Sequence, residues 1–176
     1  MRIALVYGST SGRTEEAAEK IRDRLGPDRI ETFASIRDLP PEGLVGYDVL
    51  ILGIPTWNIG ELQADWDTCF PQLDSVDLSG TRVAMFGHGD VGGYPDTYQD
   101  AMGILYQKCL DRGAKGGLGF ISTEGYDHFD SKAIVDGKFC GLCLDDDTEA
   151  ELTDERIERW CEQLAGELGF GGAPAD

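Results

Sequence analysis

Apolar runs alternate with amphipathic stretches along most of this chain, the pattern of strands and helices that build a parallel α/β sheet. Arg2–Tyr7 reads as a first strand. Thr14–Leu25 reads as a helix, with Ala17, Ala18, Ile21 and Leu25 on one face at helical spacing, and Gly26-Pro27 stops it. Ile30–Phe33 predicts a short second strand. Val49–Ile54 is an apolar run bounded by Gly and Pro, as expected of a strand buried on both faces. Arg82–Phe86 is the fourth. Thr97–Arg112 predicts a helix with Ala101, Leu105 and Cys109 on one face and Gly113 at its end. Leu118–Ile121 opens a fifth strand, the polar and aromatic segment Ser122–Lys138 interrupts it, and Phe139–Leu144 resumes it. Tyr126, Phe129 and Ile134 suggest that this insertion packs on the sheet edge. Thr153 reads as the cap of the last helix, with Asp154 and Glu155 in its first turn and Ile157, Trp160, Cys161, Leu164 and Leu168 as its buried stripe. The layout predicts one domain over residues 1–170 and a frayed, flexible tail over 171–176.

The 176 residues suffice for a full single-domain core. No apolar run is long enough to span a membrane, and Met1-Arg2-Ile3-Ala4 leads straight into a strand without the plan of a signal peptide. Five cysteines at uneven spacing argue against a disulfide framework and point to a reducing cytoplasm. Cys140 and Cys143 have C-x-x-C spacing, but on a strand they face opposite ways, with Cα atoms roughly 10 Å apart, beyond disulfide reach. They read as structural. Acid exceeds base, 33 residues to 15, for a formal charge of −18. Such a surface repels nucleic acid and anionic membranes and attracts basic protein surfaces. Plain solubility or adaptation to salt would produce the same composition.

The chemistry concentrates in Leu5–Thr14, L-V-Y-G-S-T-S-G-R-T, an apolar strand running into hydroxyls and glycines that open a helix. A strand-to-helix turn offers unpaired N–H groups and the positive end of a helix dipole. Ser9, Thr10, Ser11 and Thr14 add hydroxyl donors, and the whole suits a phosphate group. A Walker A loop would need one more residue and a Lys, and the dinucleotide loop needs a G-x-G-x-x-G that Gly8 and Gly12 do not supply. A hydroxyl-rich helix cap without ligand is the remaining alternative. Ligands of open α/β sheets bind beyond the carboxyl ends of the strands, and strands one, three and four end at Tyr7, Ile54 and Phe86.

Leu5 through Thr14 to Ala18 and Ile21 resembles the flavodoxin signature. Gly53-Ile54-Pro55-Thr56-Trp57-Asn58-Ile59-Gly60-Glu61-Leu62-Gln63 resembles the first flavin loop of that family. Phe86-Gly87-His88-Gly89-Asp90 through Gly93-Tyr94 to Gln99-Asp100-Ala101-Met102 resembles the second. Gly125-Tyr126 through Gly141-Leu142 to Trp160 resembles its long-chain branch. The likeness implies a three-layer α/β/α sandwich around a five-stranded parallel sheet of order 2-1-3-4-5, the fifth strand interrupted by the insertion.

The resemblance further implies noncovalent FMN. Its phosphate would sit on Ser9, Thr10, Ser11, Gly12, Arg13 and Thr14, with Arg13 turned to solvent. Trp57 and Tyr94 would stack on the two sides of the isoalloxazine. Main-chain groups of Asn58, Ile59, Gly60, Gly89 and Asp90 would meet its polar edge, Gln99 and Asp147 the ribityl or ring edge, and Pro55, Thr56, Gly87 and His88 would also contact the cofactor. The Asn58–Ile59 peptide corresponds to the one whose carbonyl turns to accept a hydrogen bond from the N–H formed at flavin N5, and Asn tolerates unusual φ. His88 would ease reduction while protonated, or else face solvent as loop histidines commonly do. The implied function is a low-potential one-electron carrier cycling between semiquinone and hydroquinone, without substrate turnover. Its expected partners are basic-surfaced redox proteins, such as a ferredoxin/flavodoxin-NADP reductase and an acceptor oxidoreductase, and it is expected to be monomeric. An FMN-dependent NAD(P)H:quinone oxidoreductase of the same fold is the alternative, and two aromatic covers argue against its open flavin face. A receiver domain shares the topology but needs acids where Gly8-Ser9-Thr10 and Pro55-Thr56-Trp57 stand.

Overall fold

A computed structural model describes residues 1–171, so all but Gly171 of the expected tail lies outside the described residues. In chain order the elements are β1 (Ile3–Tyr7), α1 (Arg13–Leu25), β2 (Thr32–Ser35), β3 (Val49–Gly53), β4 (Thr56–Trp57), β5 (Glu61–Leu62), α2 (Ala64–Cys69), β6 (Arg82–His88), α3 (Asp100–Asp111), β7 (Gly117–Leu118), β8 (Ile121–Ser122), β9 (Ile134–Val135), β10 (Lys138–Phe139), β11 (Gly141–Leu144) and α4 (Thr153–Glu167). The central sheet runs β11-β6-β3-β1-β2, parallel throughout, with β7 also beside β6. Reading from β2, this is the expected 2-1-3-4-5 order.

Both sheet faces are covered, which is why every residue of β1, β3 and β11 is buried. One core packs Ala17, Ala18 and Ile21 of α1 and Ile157, Trp160 and Leu164 of α4 on Ile3, Leu5, Ile51 and Phe86. The other packs Trp66 of α2 and Ala101, Met102 and Leu105 of α3 on Val6, Leu50, Leu52 and Met85. Gly53 has a packing role here, since a Cβ would lie 2.2 Å from the Phe86 ring. All five cysteines are free and buried. Burial pushes the Cys140 thiol up to about 12 and Cys143 well above its ordinary value, which leaves both in the unreactive thiol form.

Several boundaries differ from the expectations. The second strand sits two residues later, at Thr32–Ser35, and β6 runs on to His88. Helix α3 starts at Asp100 rather than Thr97, because Gln99 adopts φ +59 and breaks the helical path before it. Thr153 is the first residue of α4 rather than its cap, and its hydroxyl donates to Asp146.

The fifth strand is split as anticipated: β7 pairs with Val83 and Ala84, and β11 with Met85–His88. Between them the chain leaves the sheet at Gly119, φ +70, whose carbonyl accepts from Trp160 Nε1 at 2.8 Å. A Cβ there would lie 2.5 Å from that indole. The insertion then forms its own antiparallel sheet, β8-β10-β9. Ile121 and Phe139, expected in the fifth strand, belong to this small sheet, and the fifth strand resumes only at Gly141. Tyr126 and Ile134 pack on the core, but Phe129 is 81% exposed, contrary to the expectation that it anchors the insertion. Its backbone N–H instead donates to the Pro95 carbonyl at 2.9 Å, tying the insertion to the loop that carries Tyr94.

Candidate cofactor site

The loops after β1, β3 and β6 converge beyond the carboxyl ends of the sheet. They enclose a cleft of about 240 Å³ lined by Ser11, Arg13, Thr14, Pro55, Thr56, Trp57, Asn58, His88, Gly89, Asp90, Tyr94 and Asp147. Ser9, Thr10, Gly12, Ile59, Gly60, Gly87 and Gln99 do not line it. Ser9 accepts from the Gly12 N–H at 3.0 Å and so shapes the turn. Thr10 Oγ1 accepts from Gln63 Nε2 at 3.1 Å.

Helix α1 is open at its head. Gly12 sits at φ +90, no side chain caps the helix, and the first helical bond runs from Glu16 N–H to Gly12 C=O. The N–H groups of Arg13, Thr14 and Glu15 therefore have no helical acceptor. The hydroxyls around them do not cap the helix. Free N–H groups, hydroxyls and a helix dipole fit a phosphate. Arg13 is exposed, as expected, and also pairs with Asp147 at 2.7 Å.

The loop after β3 is a hairpin in which Thr56 faces Leu62 and Trp57 faces Glu61. Its turn uses two left-handed residues, Asn58 at φ +47 and Gly60 at φ +75. Asn58 Nδ2 donates to Glu61 at 3.1 Å, and Thr56 Oγ1 accepts from the Ala101 N–H of α3 at 3.0 Å. These bonds hold the backbone while Trp57 and Ile59 stay outside, 39% and 75% exposed. Tyr94, at 41%, lines the same cleft from the other loop. Large aromatics left this open beside a cleft fit a flat ring system.

Two buried side chains set the second loop. Asp145 accepts from the N–H groups of Val91 and Thr148, both at 2.8 Å, and burial raises its pKa. Gln99, expected at the cofactor, is fully buried beneath it. Its Nε2 donates to the carbonyls of Gly87 and Leu144 at 3.2 and 3.1 Å, so its role is to join the ends of β6 and β11. Gly87 is kept small by that contact, since a Cβ would sit 2.6 Å from the Ile54 carbonyl and 2.7 Å from Gln99 Oε1.

His88 does not face solvent; it is 7% exposed. Its Nδ1 lies 3.2 Å from Thr14 Oγ1 and its Nε2 3.4 Å from Asp146 Oδ2, an ion-pair distance rather than an aligned hydrogen bond. The imidazole, with the Thr153 hydroxyl, holds the Asp146 carboxyl down at about 2. Residue-level reading missed Asp145, Asp146 and Gln63. Gln63 also caps α2 by accepting from the Asp65 and Trp66 N–H groups. The only sequence signal for it was its place at the end of the 53–63 motif.

The family model described as Flavodoxin matches residues 5–160. The chain belongs to the flavodoxin family. A flavodoxin of Trichodesmium erythraeum (strain IMS101) is 52% identical over 169 residues, covering 96% of this chain and 98% of that protein. Flavodoxin 2 of Escherichia coli (strain K12) is 45% identical over 170 residues, covering 96% and 97%. Among solved structures, a Fusobacterium nucleatum flavodoxin bound to flavin mononucleotide superposes with a TM-score of 0.86 at 29% identity, covering 94% of this chain and 98% of that one. The flavodoxin membership accounts for the order of the three loops and for the sheet that carries them.

Proposed function

We propose that this flavodoxin binds FMN noncovalently in the cleft between its three loops and carries single electrons at low potential between redox proteins, without turning over a substrate itself. The carrying observation is the convergence of an uncapped α1 with half-exposed Trp57 and Tyr94 on one cleft. FMN supplies the one-electron chemistry when bound. The residues do the rest. The α1 head, Ser11 and Thr14 hold the phosphate. Trp57 and Tyr94 cover the ring and exclude water. Asn58, already left-handed, lets the Asn58–Ile59 peptide present its N–H or its carbonyl to the ring edge.

Charge sets the direction of the potential. Arg13 pairs with Asp147, and Asp90 is the further acid of the cleft wall, offset wherever His88 is protonated. An added electron is repelled, and the loaded carrier becomes a stronger reductant. The acidic surface suits partners with basic faces, a reductase as donor and an acceptor oxidoreductase. We read the carrier as a monomer of the cytoplasm, where its thiols stay reduced; among the described residues no helix is long and apolar enough to cross a membrane. The test is uptake of one FMN per chain, followed by stepwise photoreduction. Two resolved one-electron stages and no oxidation of NAD(P)H with quinone are expected. Colourless protein that refuses FMN, or rapid quinone turnover, overturns the reading.

A further inference from the structure

We propose that His88, held from behind by Asp146, sets the direction of the Thr14 hydroxyl and is thereby a positioning residue for the phosphate of the cofactor. The inference rests on Ser9–Thr14 being the phosphate seat. His88 ends β6 and Thr14 begins α1, and the two side chains are buried against each other, Nδ1 to Oγ1 at 3.2 Å. Asp146 faces the opposite ring nitrogen, Nε2, at 3.4 Å and is itself fixed by the Thr153 hydroxyl at the start of α4.

The carboxylate restricts the ring to two forms. A neutral ring protonated only at Nδ1 would set the Nε2 lone pair against Asp146, so Nε2 keeps its proton. In the neutral form Nδ1 is then an acceptor. It takes the Thr14 O–H and turns that proton away from the head of α1. In the imidazolium, Nδ1–H donates to Oγ1, and the hydroxyl proton is free for a phosphate oxygen. A bound phosphate selects the second form, so binding carries a proton onto His88.

Lining the two clefts that His88 borders are Arg13, Glu16 and Lys20 from α1, Asp146 and Asp147 after β11, Asp154 from α4, and Asp90 from the loop after β6. Arg13 pairs with Asp147, and Lys20 with Asp154 and Glu16. Asp146 and Asp90 remain to balance an imidazolium. Asp145 turns away, to the Val91 and Thr148 N–H groups.

The test separates phosphate from ring. The full chain, stripped of cofactor, is titrated with FMN and with riboflavin, which lacks the phosphate, from about pH 5.5 to 8.5, a span that brackets ordinary histidine titration. One charge-assisted hydroxyl bond is at stake, so His88→Gln should weaken FMN about tenfold at the acid end and leave riboflavin unchanged. The parent's advantage should fade as pH rises and the imidazolium is lost. The phosphate's own titration is common to parent and variant and cancels in their ratio. Asp146→Asn should move the same advantage to lower pH. Imidazole nitrogen spectra need no substitution: with two histidines in the chain, the His88 signals should move to the imidazolium position with FMN and stay with riboflavin. Equal losses for both ligands, or a His88 spectrum indifferent to FMN, overturn the inference. A parent that binds FMN no better than riboflavin overturns the phosphate seat beneath it, a distinct failure visible before any variant is made.

Discussion

Trp57 and Tyr94 at the cleft mouth keep about two-fifths of their surface in water, whereas Tyr98, four positions after Tyr94, is fully enclosed. Tyr98 packs on Tyr126, His128 and Phe139 with ring centroids 5.9–6.3 Å apart, and Phe139 meets Tyr126 and His128 at 5.1 and 5.0 Å. The same contrast separates Trp57 from Trp66, which is fully buried with Nε1 donating to the Gly53 carbonyl at 2.8 Å. Aromatics of one kind thus do two jobs. The inner set fastens the insertion and α2 to the sheet. The outer set is held by a stiff hairpin and a tethered loop and leaves its faces to a ligand.

Substitutions can break that division. Phe139→Ala should be the most damaging, costing about 3–5 kcal/mol in urea unfolding of the apoprotein, because three rings lose their partner. Gly103→Ala comes next. Its Cβ would lie 2.1 Å from the Lys132 carbonyl, so the insertion must lift off α3. A loss of about 1–3 kcal/mol is expected, with faster proteolysis within 119–140. Trp57→Ala and Tyr94→Ala should behave oppositely. Apoprotein stability should stay within about 0.5 kcal/mol of the parent, while FMN affinity, followed by quenching of flavin fluorescence, drops about tenfold or more. Equal effects on stability and binding would erase the distinction between the two sets.

The loops themselves are sharpened by charge. The Asp146 carboxyl is held at about 2, below its ordinary 3.8. Its contribution is therefore present above pH 4 and is lost as pH falls through 2. With screening of a partly open site, acid titration of Asp146→Asn against the parent should differ by about 1–2 kcal/mol, closing over that window. The smallest effect is electrostatic. Asp147→Asn frees Arg13, and the low potential should rise by roughly 20–40 mV, equivalent to ~0.5–1 kcal/mol.

The third strand and the α1 head were legible because their signals are local, whereas the β4–β5 hairpin was not anticipated. Val49–Gly53 is apolar between punctuating residues, and Asn58 and Gly60 mark a turn by their tolerance of positive φ. What escaped depends on partners far along the chain. Nothing near Gln99 signals that it will bridge Gly87 and Leu144, or that φ +59 will delay α3. Nothing near Thr153 signals that its hydroxyl will serve Asp146 instead of capping its own helix. The insertion's sheet is made of two-residue strands, too short for alternation to announce them. Phe129 looked like an anchor because it is apolar, but its main chain makes the attachment.

The Arg13–Asp147 pair joins positions 134 residues apart, and Asp145 holds the Val91 N–H from the same late stretch. During synthesis, then, a nascent chain stopped short of residue 145 would own the helix head and both aromatics but could not lock the segment carrying Tyr94. The cleft mouth is therefore closed by both ends of the polypeptide at once, and no fragment ending before residue 145 contains all of its fastenings.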